Sequence, residues 1–158
     1  MANFLYNTAK MRICAGSTGE IDLIANTIKV MALEDDTGET KDDEFIGDII
    51  TTHGAVEVTS TGYTGGFGGA GRKTLGTKAW AVNQSTDLAW FDCADVTWTA
   101  ISRAAAESWV ALVLIKEGSD DTDSPVIGHI DTAIGLPLIP NGSNITLTID
   151  VAGIIQIT

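Results

Sequence analysis

The chain has 158 residues, 44% of them hydrophobic and 19% charged, which is enough for one domain with a substantial core. Its 21 acidic and 9 basic residues give a formal net charge of −12, which repels nucleic-acid phosphates, so a nucleic-acid partner is not expected. The N-terminal MANFLYNTAK lacks the basic and apolar segments of a signal peptide, and the longest apolar run, Trp109–Ile115, is too short to cross a bilayer, so no membrane partner is expected.

The first third of the chain predicts a short helix, a strand and further helical turns. Residues 7–15 form the helix, since Gly16 follows them as a stop signal. In residues 27–33 apolar and other side chains alternate, which is typical of a strand. The acidic residues 34–44 are expected to form a solvated loop, and residues 45–50 one or two helical turns.

From residue 54 the pattern is that of short strands separated by turns. Residues 108–116, SWVALVLIK, predict a fully buried central strand, whereas the helix-favouring residues 103–107 are too few to form a helix unaided. Many short strands with little helix predict a mainly β fold, an antiparallel β-sandwich or barrel-like domain with one or two short helices near the N-terminus. The other predicted strands are residues 55–59, 78–82, 88–92, 95–99, 126–130, 144–150 and 153–158.

The stretch Ser60–Thr74, STGYTGGFGGAGRKT, contains G-x-G-x-x-G at residues 66–71 and comes close to a phosphate-binding P-loop. A P-loop needs Gly-Lys-Ser/Thr in succession at the start of a helix, but Arg72 separates Gly71 from Lys73 and no helical pattern follows. No βαβ unit surrounds the glycines, so a dinucleotide site is not expected either. We predict a flexible loop between strands, with glycines present for backbone freedom.

No catalytic, cofactor or metal site is predicted, and the chain is not expected to be an enzyme. The only two histidines, His53 and His129, lie in no recognisable hydrolase signature. The acidic segment 119–124 lacks the glycine and glutamate that an EF-hand requires, so it is predicted to be a solvated hairpin loop. Cys14 and Cys93 are both predicted to be buried apolar residues without a redox role.

The four tryptophans leave two alternatives open. They lie among apolar neighbours in predicted strands, which favours packing in the core or at a subunit interface. The alternative is a sugar-stacking platform, which would need at least two exposed tryptophans on one face of a sheet. The residues concerned are Trp80, Trp90, Trp98 and Trp109.

Several segments follow one another in a characteristic order from residue 5 to residue 155. The densest is Ala89–Thr99, AWFDCADVTWT; the others are Tyr6–Lys10, Ile21–Leu23 with Thr27–Leu33, Glu57–Gly65 and Gly153–Ile155. Through these segments the chain resembles small bacteriophage virion structural proteins, in particular head decoration (capsid cement) proteins. It departs from them at the longer glycine run Gly65–Gly71, which is interpreted as an added surface loop.

The resemblance implies a β-rich protein, commonly a homotrimer, that binds the outer surface of an icosahedral phage head. There it would stabilise contacts between subunits of the major capsid protein, after synthesis in the host cytoplasm. The family has no catalytic residues to carry over. The alternatives are a phage tail or head-fibre component, and a carbohydrate-binding β-sandwich module.

Two regions of the chain are the expected contact surfaces. Residues 1–10 are predicted to be an N-terminal arm that docks on the capsid or on sister subunits, ahead of a single β-rich domain at residues 11–158. The basic residues that follow the glycine run are expected to meet an acidic neighbour in an assembly. The expected interface residues are Phe4, Leu5, Tyr6, Phe67, Arg72 and Lys73.

Overall fold

A computed structural model of the chain describes residues 3–14, 19–103, 107–133 and 135–157. The helical elements of this part are helix α1 (Asn7–Cys14) and a π-helical turn at Asp48–Thr52. The sheets are antiparallel and, over the described residues, do not close into a barrel, so the prediction of a mainly β fold with short helices near the N-terminus is confirmed. The strands are β1 (Phe4–Leu5), β2 (Ile28–Asp35), β3 (Val56–Glu57), β4 (Lys73–Thr74), β5 (Ala79–Asn83), β6 (Leu88–Asp92), β7 (Val96–Trp98), β8 (Ala111–Lys116), β9 (Val126–Ile130), β10 (Ile145–Leu147) and β11 (Ile155–Ile157).

The largest sheet has the order β1-β9-β8-β2-β3, and β4 also pairs with β2. Strands β2 and β8 lie at its centre and pair from Ile28 opposite Lys116 to Leu33 opposite Ala111. The buried central strand predicted in residues 108–116 is thus confirmed. The alternation predicted for β2 is wrong, because Met31 is as fully buried as Val30 in a strand that is covered on both faces.

Two smaller sheets complete the fold. One consists of β10 and β7, and the other has the order β11-β6-β5. In the second sheet Trp80 of β5 lies opposite Phe91 of β6, which in turn lies opposite Ile155 of β11. Cross-strand partners share a face, so these three side chains point to the same side of this sheet.

Two of the four tryptophans lie in the core, as the favoured alternative predicted. Trp98 and Trp109 are each 1% exposed and pack edge to face with ring centroids 5.2 Å apart. Each indole N–H has a buried acceptor, the carbonyl of Gly71 at 2.6 Å for Trp98 and the hydroxyl of Ser60 at 3.1 Å for Trp109. The two rings are therefore bonded to both ends of this stretch, since Ser60 precedes the glycine run and Gly71 ends it.

The N-terminal segment belongs to the fold from residue 3 onward. Strand β1 pairs with β9, with Phe4 opposite His129 and Leu5 opposite Gly128. Tyr6 is fully buried, and α1 continues directly from it. The predicted arm at residues 1–10 is therefore, over its described part, an edge strand and the start of a helix.

The acidic residues 34–44 are not a wholly solvated loop. Glu39 is 4% exposed and Asp43 is 5% exposed. The Tyr6 hydroxyl donates to Glu39, whose second carboxylate oxygen lies 3.2 Å from Nε2 of buried His129. Asp43 Oδ2 accepts the backbone N–H of Thr40 at 2.7 Å. The prediction is wrong for these two carboxylates: Glu39 is held by partners from distant parts of the chain, and Asp43 by a local backbone contact.

The two cysteines differ in exposure, which corrects the prediction that both are buried. Both thiols are free, but Cys14 is exposed and Cys93 is buried. Burial, reinforced by the nearby charges of Asp92 and Asp95, raises the pKa of the Cys93 thiol to about 11.

A thiol titration of the native protein at pH 8 is expected to detect one reactive cysteine. The raised pKa keeps Cys93 protonated, and the thiolate is the reactive form. Titration with Ellman's reagent should show a second equivalent after unfolding, and the Cys14→Ser variant should show none when native. Two fast equivalents in the native protein would contradict this assignment.

Candidate functional site

Of the six residues expected at an interface, Phe67 has the most exposed side chain, with 45% of its surface accessible. Phe4 and Leu5 are half-buried in β1, and Tyr6 is buried. Arg72 is also buried, and Lys73 is half-buried in β4. The candidate site is therefore the exposed end of the glycine loop, defined here as residues 62–71, with Phe67 near its middle.

The glycine loop is closed by its own hydrogen bonds. The N–H of Gly69 donates to the carbonyl of Gly66 at 3.0 Å, and the N–H of Gly71 donates to the carbonyl of Thr64 at 2.9 Å. The N–H of Gly66 donates to Oε2 of Glu57 at 2.9 Å. The N–H of Gly66 thus binds a carboxylate of the same chain, and the loop has internal hydrogen bonds that we did not predict.

Two of the glycines allow a close approach of chain segments. A Cβ atom at Gly69 would lie 2.2 Å from the carbonyl oxygen of Thr64, and one at Gly71 would lie 2.5 Å from the ring of Tyr63. Neither contact is possible for a real side chain. Backbone freedom is the reason for glycine at position 68, where φ is +75°. The predicted reason for the glycines therefore holds at Gly68, whereas Gly69 and Gly71 serve packing.

Arg72 finds its acidic neighbours within the chain. Its Nε donates to Glu57 Oε1 at 3.0 Å and its Nη2 to Glu57 Oε2 at 2.7 Å, a bidentate pair. Its Nη1 donates to Asp121 Oδ1 at 2.5 Å. The Arg72 side chain is 3% exposed, so these internal pairs replace the contact with another molecule that we expected.

The surroundings of this cluster favour the charged form of Arg72 and the neutral form of Tyr63. Burial alone would lower the pKa of the Arg72 guanidinium, but the hydrogen bonds and charges of Glu57 and Asp121 raise it overall. Burial and the charge of Glu57 raise the pKa of the Tyr63 hydroxyl. The cluster thus combines the buried ion pair of Arg72 and Glu57 with the neutral phenol of Tyr63.

Tyr63 connects the cluster to the central sheet. Its hydroxyl donates to Glu57 Oε1 at 3.0 Å and accepts the backbone N–H of Ala32, in β2, at 3.1 Å. Its ring packs against Trp109 with centroids 5.5 Å apart. Tyr63, at the start of the glycine loop, is therefore bonded to β2 and packed in the core, which attaches the loop that carries Phe67 to the central sheet.

His129 and possible metal-binding groups were the other features considered for chemistry. His129, the second histidine considered above, has a fully buried side chain that stacks on Phe4. Among residues 3–14, 19–103, 107–133 and 135–157, no three His, Cys, Asp or Glu side chains are grouped as a metal site requires. In the same ranges no helix has the length and apolar character needed to cross a membrane.

Sequence reasoning missed Glu57 as the centre of this site. Its partners Tyr63, Gly66 and Arg72 lie 6, 9 and 15 residues from it along the chain, in no known motif. The one available signal was an acidic residue within an apolar strand pattern, followed by a glycine run that ends in arginine. A comparison of the chain with protein-family models, curated proteins and solved structures finds no match.

Proposed function

We propose that the chain is a virion structural protein, a decoration or cement protein that binds the outer surface of an icosahedral phage head and stabilises contacts of the major capsid protein. The proposal rests on the collinear segments between residues 5 and 155 that resemble such proteins. It places the protein in the virion, with the major capsid protein as its partner, and assigns it no catalysis and no cofactor.

The observation that supports a binding role most directly is the position of Phe67. A large apolar side chain that is 45% exposed on an internally bonded loop has the character of an interface anchor. The loop is also the segment in which the chain departs from the virion proteins that it resembles. We infer that Phe67 inserts between neighbouring capsid subunits and that the loop determines which capsid is bound.

The tryptophans give little support to the carbohydrate-binding alternative. Trp98 and Trp109 are buried, and Trp80 is 41% exposed. Trp90 lies opposite Ala81, one position along from Trp80, so it points to the other face of the sheet. A stacking platform needs two exposed rings on one face, and these four residues do not provide it.

Substituting Phe67 by Ser is expected to weaken capsid binding by roughly 30-fold or more, because a central aromatic anchor contributes about 2 kcal/mol or more. The measurement is co-sedimentation of the purified protein with expanded and unexpanded capsids, with cryo-EM to locate it. Val151→Ser is the matched control, since Val151 is 89% exposed and lies outside the loop.

This experiment tests capsid binding by the protein and anchoring by Phe67 separately. Equal binding by the wild type and the Phe67→Ser variant would reject Phe67 as the anchor while leaving capsid binding intact. Binding of the wild type to neither capsid form would reject the cement function. Binding to purified tails instead would establish the tail alternative.

A further inference from the structure

Among the strands that the structure describes, none pairs with the outer edge of β5. It is the outer strand of the sheet β11-β6-β5 and is five residues long, whereas the other strands that end a described sheet are two or three residues long. Edge strands are normally shortened, charged or interrupted by proline to prevent pairing with another chain. The sequence of β5, AWAVN, has neither a charge nor a proline, and Trp80 and Val82 are 41% and 64% exposed.

The backbone N–H and C=O groups of Trp80 and Val82 point away from β6, toward the outer edge of the sheet. The carbonyl of Phe91 accepts the N–H of Ile154 at 2.9 Å, so Phe91 directs its polar groups toward β11. Trp80, the cross-strand partner of Phe91, therefore directs its own N–H and C=O away from β6. Val82 does the same, because backbone direction alternates along a strand.

These positions fit antiparallel pairing with an identical strand. A two-fold axis through Ala81 places Trp80 of one copy opposite Val82 of the second copy, and the reverse pair on the other side of the axis. Each pair exchanges two N–H···O=C bonds, so four backbone bonds form. A closed two-fold contact of this kind is self-complementary and uses one surface patch.

The side chains and charges favour a second copy as the occupant. Val82 shares a face with Ala89 of β6 and Ile157 of β11, and pairing brings the Trp80 ring of the second copy next to this apolar row. In this register Lys78 lies opposite Gln84, and no carboxylate opposes another between residues 78 and 84. In a chain with a net charge of −12, this edge without carboxylates is a place where two copies can meet without direct repulsion between acidic groups.

We propose that β5 is a self-association edge through which two copies of the chain form a continuous six-stranded sheet. The proposal does not depend on capsid binding. It also differs from the three-fold assembly that the resemblance implies, because a single two-fold edge contact generates a dimer.

Native mass spectrometry of the purified chain over a concentration series tests the proposal. The expected species has twice the mass of the 16.6-kDa chain. The Val82→Lys variant should have a dimer dissociation constant at least tenfold higher than that of the wild type, since the substitution places a charge in both cross-strand pairs. Val151→Lys makes the same substitution at an exposed site outside β5 and should leave the dimer unchanged. A monomeric or trimeric wild type, or a Val82→Lys variant that dimerises as well as the control, would overturn the proposal.

Cysteine cross-linking tests the register independently of any loss of folding. At the axis, the two Ala81 residues form a non-hydrogen-bonded pair with Cα atoms about 4.5 Å apart, a separation that a disulfide spans. In a Cys14→Ser background, Ala81→Cys should form a covalent dimer on mild oxidation. Ala79→Cys should not, because its two copies lie about 13 Å apart along the strands. Equal cross-linking of both variants would reject this pairing.

Discussion

Replacing Glu57 by Gln is expected to lower the free energy of unfolding by about 3 kcal/mol, the scale on which a buried ion pair responds to loss of one partner. The substitution keeps the size of the side chain but removes the charge that two nitrogens of Arg72 contact. Arg72 is then left with Asp121, whose side chain is 31% exposed and is a weaker partner. Urea denaturation followed by tryptophan fluorescence measures the change.

Glu44→Gln is the matched control for this experiment. Glu44 also pairs with an arginine, Arg12, but its side chain is 41% exposed, so its loss should change the stability by less than about 1 kcal/mol. A stability of Glu57→Gln within about 1 kcal/mol of the wild type would mean that the cluster neither stabilises the fold nor supports the loop that carries Phe67.

Replacing Tyr6 by Ala is expected to destabilise the protein by about 3–5 kcal/mol, the range for removing a buried aromatic ring. Tyr6 is fully buried, and its hydroxyl donates to the buried Glu39. Tyr6→Phe separates the contribution of the hydrogen bond from that of the buried ring, because it removes only the hydroxyl. It should lower the free energy of unfolding by about 1–3 kcal/mol. Met11→Ala on α1, where Met11 is 61% exposed, should change the stability by less than about 0.5 kcal/mol.

The outcome also determines how the N-terminal segment can be studied. Deleting residues 1–6 removes β1 and a core side chain together, so lost capsid binding by such a truncation would reflect lost folding. A Tyr6→Ala variant as stable as the wild type would instead support the arm that we expected from the sequence. In that case the pairing of β1 with β9 would contribute little to the fold.

The strands with strong local patterns were predicted well. Strand β6 was predicted with its observed bounds, and β8 and β9 lie within or match their predicted ranges. Strands β1 and β4 were missed, because each has two residues and exists through its partner strand. Strand β3 also has two residues but was predicted, because it lies within the alternating residues 55–59; β1 and β4 are defined by distant pairing.

The candidate site was predicted only in part, for the same physical reason. Phe67 was singled out and is exposed, but Arg72 was expected at the surface and is buried. A sequence shows that a basic residue stands in an acidic chain; it does not show which carboxylates the fold brings near. The pairs of Arg72 with Glu57 and Asp121 span 15 and 49 residues, beyond the reach of any local motif.

The anchoring of the glycine loop has a consequence for the entropy of association. A mobile loop loses about 1–2 kcal/mol of backbone conformational freedom for each residue that binding immobilises. Here the carboxylate of Glu57 and the hydrogen bonds from Gly69 and Gly71 impose much of that restriction during folding. A partner that engages Phe67 therefore meets a preorganised surface, and more of the contact energy remains as affinity.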